Sequence, residues 1–182
     1  MTRLVSVTEA LKPWSNFAFV KPEVLEAASA DGTAIHSLLF RHIKGLMVFS
    51  EEVTPAIEGY YDSGRRWADK HILTVHLAEE ELRDDLRGYL GHPDLIVTLR
   101  GDQGKSLLDW KRAVPVLTHP IQIGGYYGLA IRNGYEIERT GCVYLQKNGA
   151  MPNIGRGETT KTVQHDYAVF LSCLIAWRYF ND

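Results

Sequence analysis

Several features that would assign a chain to a common functional class are missing here. Only two cysteines, Cys142 and Cys173, occur in 182 residues, too few for a disulfide framework, a four-cysteine zinc site or a four-cysteine iron–sulfur cluster. No apolar run approaches the ~20 residues that a membrane-spanning helix needs. The net charge is −2, so a nucleic-acid partner would have to bind a local basic patch.

Familiar catalytic and targeting motifs are also missing. The sequence contains no G-x-S-x-G, H-E-x-x-H, Walker A or G-x-G-x-x-G pattern, which argues against those hydrolase and nucleotide-binding classes. The N-terminal residues lack the apolar segment and small-residue cleavage site of a secretory signal. Together with the low cysteine content, this predicts a cytoplasmic protein with no membrane partner.

What is present is an ordinary globular composition, with 45% hydrophobic and 23% charged residues. The length predicts one domain over 1–182, with a helical part over about 1–70 and a sheet-containing core over about 71–182. Caps, prolines and apolar spacing predict the helices, and β-branched runs between turn residues predict the strands. Helices are predicted at 7–12, 22–30, from Thr33, 55–69, 120–132 and 166–180, and strands at 72–83, 86–100, 105–114 and 141–148. This order predicts an α+β domain, a mixed sheet flanked by helices.

A predicted hairpin with its loop at 101–104 brings two carboxylates and an ammonium group together. Centring this loop places Asp94 opposite Lys111, and Asp109 opposite Ile96. Because side chains alternate along a strand, Asp94, Asp109 and Lys111 then share one face. Two such carboxylates repel unless a cation joins them, and oxygen ligands suit Mg²⁺ or Mn²⁺ rather than zinc. The alternative is a surface strand pair with an ordinary Lys–Asp contact.

These residues resemble the paired motif of the PD-(D/E)xK nucleases. The segments Gly91–Asp94 and Leu107–Lys111 carry the likeness, which is closest to the RecB-like and lambda-exonuclease-like branch. Gln122 and Tyr126 match the Gln-x-x-x-Tyr motif of that branch, and Asp31–His36 is similar to its Gly-x-x-x-His motif. The four motifs occur in the family's order over about half of the chain. The resemblance implies a restriction-endonuclease-like core.

The resemblance also implies a metal site without an iron–sulfur cluster. Asp94 and Asp109 would bind Mg²⁺ or Mn²⁺, and the backbone carbonyl of Trp110 would be a third ligand. His36 would complete the coordination from the helical side. Taken without the family, a lone histidine on an apolar helix face, such as His36, is more often a packed core residue than a ligand.

Five residues would then be catalytic: Asp94, Asp109, Lys111, Gln122 and Tyr126. Lys111 would align the attacking water and stabilise the transition state. Gln122 and Tyr126, four apart on one helix face, would orient this lysine or contact DNA, although both could be ordinary helix positions.

Two further segments carry residues of interest. Glu79–Glu81 could supply an extra ligand, but a solvated edge is the favoured interpretation. Gly124 and Gly125 each cost a helix about 1 kcal/mol, which indicates close packing of the backbone against the sheet.

DNA contacts must come from local positive charge. Arg112 follows the predicted active-site lysine, and Arg156 and Lys161 lie in a glycine-containing loop. We expect these three side chains to contact phosphates.

The sequence therefore predicts an Mg²⁺- or Mn²⁺-dependent deoxyribonuclease, an exonuclease by resemblance, acting on linear duplex or single-stranded DNA in recombination, repair or phage DNA processing. A recombination protein is a possible partner, and the oligomeric state is open. The alternatives are a silent nucleic-acid- or protein-binding module on the same fold, and a nuclease for RNA or branched DNA.

Overall fold

The computed structural model describes residues 3–15, 20–112, 115–154 and 160–181. Within them, the helices are α1 (Val7–Leu11), α2 (Pro22–Ile43), α3 (Glu58–His71), α4 (Thr118–Arg132) and α5 (Thr160–Asn181), with 3₁₀ turns at Lys12–Trp14 and Ser50–Glu52. The strands are β1 (Val5–Ser6), β2 (Ile72–Ala78), β3 (Leu82–Asp84), β4 (Tyr89–Gly91), β5 (Leu95–Leu99), β6 (Lys105–Lys111), β7 (Ile137–Tyr144) and β8 (Asn153–Ile154). The predicted α+β class is confirmed.

Two mixed sheets organise the domain. The larger has the strand order β2-β5-β6-β7-β8, in which only β6 and β7 are parallel. The chain passes from β6 to β7 through α4, as a parallel pair requires. The smaller sheet has the order β1-β4-β3, with β1 parallel to β4.

The larger sheet has an apolar core on each face. Leu95 and Trp110 belong to the core that includes α2 and α3. Ile96, next to Leu95, and Leu107, three residues before Trp110, belong to the core that includes α1, α4 and α5. This alternation is the two-residue period of a strand buried on both faces. The sheet is therefore sandwiched between two helical layers.

Helix starts follow the sequence closely. The Ser6 hydroxyl accepts a hydrogen bond from the Glu9 backbone N–H at 3.1 Å, so Ser6 caps α1 as predicted. The predicted break at Asp31 and Gly32 is wrong, because α2 runs without interruption from Pro22 to Ile43. Burial of the helix's apolar stripe on the sheet outweighs the cost of about 1 kcal/mol for one helical glycine.

The predicted hairpin register is wrong by two residues. Ile96 pairs with Leu107, not with Asp109. The turn closes earlier than predicted because Gly101 adopts a φ of +89° and the Asp102 N–H donates to the Leu99 carbonyl. A shift of two leaves every side chain on its predicted face.

Two predicted strands are each divided into two shorter ones. The first breaks after β2 at Glu79, whose φ of +52° is left-handed, a conformation rare for a residue other than glycine. The second breaks between β4 and β5 at Pro93, which has no N–H to donate to a ladder. Both breaks lie at the same end of the larger sheet. No helix in the described part of the chain is long and apolar enough to cross a membrane.

The glycines of α4 serve close packing against α5 rather than against the sheet. A Cβ on Gly124 would lie 2.5 Å from backbone atoms of Asp166 and Tyr167. A Cβ on Gly125 would lie 3.0 Å from the Phe170 ring. The glycines let the two helix backbones approach one another.

We predict opposite effects for two helical glycine substitutions. Gly124→Ala forces α4 and α5 apart and should lower the free energy of unfolding by about 1–3 kcal/mol. Gly32→Ala meets nothing within 4 Å and should raise it by up to about 1 kcal/mol, since alanine favours a helix. Urea unfolding measures both, and a stabilising Gly124→Ala would contradict the packing described here.

Candidate metal centre

Three strands of the larger sheet bring acidic residues to one end. Glu79 directly follows β2, Asp94 directly precedes β5, and Asp109 lies near the end of β6. The Glu79 N–H donates to the Asp94 carbonyl at 3.1 Å, so the β2–β5 pairing extends to these two residues. The register places Asp109 opposite Asp94 across the hairpin. Three carboxylates therefore converge where the strands end.

His36 reaches this cluster from α2. Its Nδ1 lies 3.2 Å from Asp94 Oδ1 and 3.3 Å from Glu79 Oε1. The ligand atoms of His36, Glu79 and Asp94 all lie within 4.8 Å of one another, close enough to hold one metal ion. Ile35 and Leu39 of the same helix are buried in the core and fix α2 in this orientation. The histidine is thus half-buried against carboxylates instead of being packed among apolar side chains.

Asp94 is the most buried of the three residues His36, Glu79 and Asp94, with 5% of its surface exposed. Its Oδ2 accepts a hydrogen bond from the Trp110 backbone N–H at 2.6 Å, and its Oδ1 faces His36. Burial and the nearby Asp109 carboxylate raise the pKa of Asp94 to about 6, although His36 opposes this shift. The site therefore carries uncompensated negative charge.

A hydrogen-bonded chain of side chains stands beside the cluster. The Lys111 ammonium contacts the Asp109 carboxylate and donates to Gln122 Oε1 at 3.0 Å. Gln122 Nε2 donates to the Tyr126 hydroxyl at 3.1 Å. The structure thus brings together Lys111 on β6 with both predicted residues of α4. Burial would lower the pKa of Lys111, but Asp109 and Asp94 raise it above its usual value, so the ammonium stays charged.

The unsatisfied oxygens of the site fit a cation. Glu79 Oε1 and Asp109 Oδ2 are buried without a regular hydrogen bond. Each lies beside one charged group, His36 Nδ1 for Glu79 and Lys111 Nζ for Asp109. Buried charges of one sign are costly unless paired or bound to a metal. Carboxylate oxygens, which are the majority of the ligand atoms here, suit Mg²⁺ or Mn²⁺.

The remaining predicted residues have varied positions. The Trp110 ring is buried against Trp67 in a T-shaped contact, and the role of its carbonyl as a ligand stays a prediction. Arg112 pairs with Asp31 at 2.7 Å and lies over the Tyr60 ring, so its predicted DNA contact competes with a structural one.

The two other predicted DNA contacts are not placed by the structure. Arg156 lies outside the described residues. Lys161 lies within α5 but outside the described side chains. Their contacts with phosphates stay predictions.

Glu79 is the residue that sequence reasoning undervalued. The sequence favours a solvated edge at Glu79–Glu81, and Glu80 and Glu81 are exposed. Glu79 instead turns into the site because its left-handed backbone ends β2. A non-glycine residue held in this conformation is typical of functional sites. The signal for Glu79 in the sequence is that it directly follows a strand, at the same end of the sheet as Asp94.

Two nearby groups are unsuited to proton transfer or nucleophilic attack at neutral pH. Burial and Lys111 lower the pKa of His119 to about 4, so its ring is neutral. Burial and Asp109 raise the pKa of Cys142 to about 12, so its sulfur stays a thiol. The chemistry of the site therefore lies with the carboxylates, His36 and Lys111.

No protein-family model matches this chain, and no curated protein matches it significantly. Function must therefore be inferred from the geometry of the site itself.

We predict that Glu79 contributes to cation binding. Glu79→Gln removes one charge from the cluster and should weaken Mn²⁺ binding at least tenfold, as measured by isothermal titration calorimetry. Glu80→Gln is the matched control, because its neighbouring carboxylate is exposed and pairs with Lys44 outside the cluster. Equal Mn²⁺ affinity in the two variants would exclude Glu79 as a ligand.

Proposed function

We propose that this chain is an Mg²⁺- or Mn²⁺-dependent deoxyribonuclease with a PD-(D/E)xK-type core, acting as an exonuclease on DNA ends. One observation carries the proposal: a metal-capable group of His36, Glu79 and Asp94 lies beside a buried, hydrogen-bonded lysine at one end of the sheet. These two elements, a site for a divalent cation and a fixed positive charge, can together stabilise the transition state of phosphodiester hydrolysis.

The residues that would hold the cation are His36, Glu79 and Asp94, with Asp109 and the Trp110 carbonyl as the further ligands that the motif implies. When bound, Mg²⁺ or Mn²⁺ would lower the pKa of a water molecule and neutralise charge on the phosphate. The Trp110 N–H fixes one Asp94 oxygen, which leaves the other directed towards His36 and Glu79. This preorganisation limits the motion of the carboxylate.

Lys111 supplies the positive charge that the chain itself brings to the reaction. Asp109 and Gln122 hold two of its donor directions, and an ammonium group has three. The third donor can orient an attacking water or stabilise a non-bridging phosphate oxygen. Tyr126 receives a hydrogen bond from Gln122 and so fixes the amide that positions the lysine.

The topology supports the same proposal. The antiparallel strands β2, β5 and β6 precede α4 and the parallel strand β7, giving a central mixed sheet flanked by helices. The predicted motifs from β5, β6, α2 and α4 meet at one end of this sheet. An accidental Lys–Asp contact on a surface strand would not bury Asp109 to 2% exposure.

We predict that Lys111→Ala abolishes DNA cleavage. The variant loses the only ammonium group held by Asp109 and Gln122 among the described residues, and the rate should fall at least roughly hundredfold. Linear duplex, circular duplex and single-stranded DNA are incubated with Mg²⁺ or Mn²⁺, and with a chelator. Lys105→Ala, at the opposite end of β6, is the matched control, and thermal melting checks that both variants fold.

The choice of nucleic-acid substrates distinguishes the proposed function from its alternatives. Cleavage of linear DNA alone supports an exonuclease, whereas cleavage of circular DNA contradicts it. Cleavage of RNA or branched DNA in preference to DNA ends would replace the proposed substrate. If the wild type cuts nothing while binding Mn²⁺ and DNA, the proposal of an enzyme is wrong and the chain is a binding module.

A further inference from the structure

A cleft of about 420 Å³ opens directly beside the candidate metal centre. One wall is a single face of α2, and Glu79 lies on the opposite side. The α2 residues that line it are Gly32, Thr33, His36, Ser37 and Phe40. The cleft therefore shares His36 and Glu79 with the metal-capable group and extends away from it along the helix.

Three different kinds of side chain follow one another along α2, about one helical turn apart. His36 stands at the metal-capable group, Phe40 follows one turn later, and Lys44 caps the end of the helix. Residues four apart are separated by ~6 Å along a helix axis, which is close to the distance between nucleotides in an extended strand. The Lys44 ammonium lies 6.0 Å from the centre of the half-buried Phe40 ring. A metal ligand, an aromatic ring and a cation thus follow one line.

We propose that this cleft binds an unpaired nucleotide of a single DNA strand, with its base against the Phe40 ring and the next phosphate at Lys44. The placement of the scissile phosphate at the metal centre rests on the proposed function. The binding of a strand along α2 does not depend on turnover and can be measured separately.

An unpaired base fits the cleft better than a duplex. The wall is only one helix face wide, and its aromatic ring offers a stacking partner that paired bases already have within the duplex. Stacking on aromatic side chains, next to local positive charge, is how proteins bind single strands without reading sequence. The Ser37 and Thr33 side chains are exposed and neutral. They therefore neither repel nor attract the phosphates of a DNA strand.

The charges around the cleft make strand binding depend on the cation. Glu79 lines the cleft, and Glu80 faces Lys44 at 3.5 Å. These carboxylates repel phosphates until a divalent cation neutralises the metal centre. The Lys44–Glu80 pair is exposed and is worth little, so a phosphate can displace the carboxylate from the lysine.

Gly32 allows the cleft to be blocked without disturbing the core. A Cβ at this position meets nothing within 4 Å, so a larger side chain extends into open space at the cleft. Gly32→Leu should therefore narrow the cleft. Ala27→Leu is the matched control, because Ala27 is exposed and lies about 140° around the same helix.

The first experiment measures binding without cleavage. A fluorescently labelled oligothymidylate is titrated with protein in Ca²⁺, which suits oxygen ligands, and in a chelator. Phe40→Leu and Gly32→Leu should each weaken binding roughly tenfold or more, the magnitude typical of one lost base stack. Phe40→Tyr keeps the ring and Ala27→Leu leaves the cleft open, so both should bind like the wild type. Thermal melting checks the fold of each variant.

The second experiment compares rates on single-stranded DNA and on bis(p-nitrophenyl) phosphate, a small diester that needs the metal centre alone. The ratio of the first rate to the second should fall roughly tenfold in Phe40→Leu and Gly32→Leu. An unchanged ratio and unchanged binding would overturn the cleft proposal with the nuclease intact, as would tighter binding of blunt duplex. If neither substrate is cut but binding still depends on Phe40, the nuclease proposal alone fails.

Discussion

The burial of three carboxylates at one end of the sheet is the constraint on which the rest of this structure depends. Asp94 and Asp109 are almost fully buried, and Glu79 directs a buried oxygen at the same region. Charges taken out of water are tolerated only when they are paired or hydrogen-bonded. Here the fold supplies one lysine and one histidine against three carboxylates, which is enough to keep the site folded but leaves it short of positive charge.

Helices on both faces of the larger sheet contribute side chains to this charged site. α2 delivers His36 from one face of the sheet, and α4 delivers Gln122 and Tyr126 from the other. The position of α4 depends in turn on Gly124, where its backbone meets that of α5. The contact between α4 and α5 therefore sets the hydrogen bonds that hold Lys111. A methyl group added at Gly124 would displace α4 and carry Gln122 away from the ammonium group.

The sequence allowed the composition of the site to be predicted better than its geometry. Alternation along strands is a robust signal, so Asp94, Asp109 and Lys111 share a face even though the predicted register was wrong by two residues. The register depends on the turn at Gly101. The backbone conformation of that turn leaves no trace in the hydrophobic pattern of the sequence. Glu79 was undervalued for a similar reason, since its entry into the site depends on one left-handed residue. The continuity of α2 through Gly32 is a case in which tertiary packing overrides local propensity.

Under the proposed function, the same shortage of positive charge makes DNA binding depend on the cation. The chain carries a net charge of −2, and several of its surface cations are already paired, among them Arg41 with Glu52 and Arg112 with Asp31. Glu79 has the most exposed side chain of the three carboxylates and of Lys111, so a phosphate approaching the site without a cation is repelled. A divalent cation reverses the sign of the potential at this point and at the same time joins the carboxylates that the fold has buried. Under the proposed function, one bound cation would both compensate the buried charge and attract the phosphates of the strand. An acidic end of the sheet is therefore compatible with a polyanionic substrate.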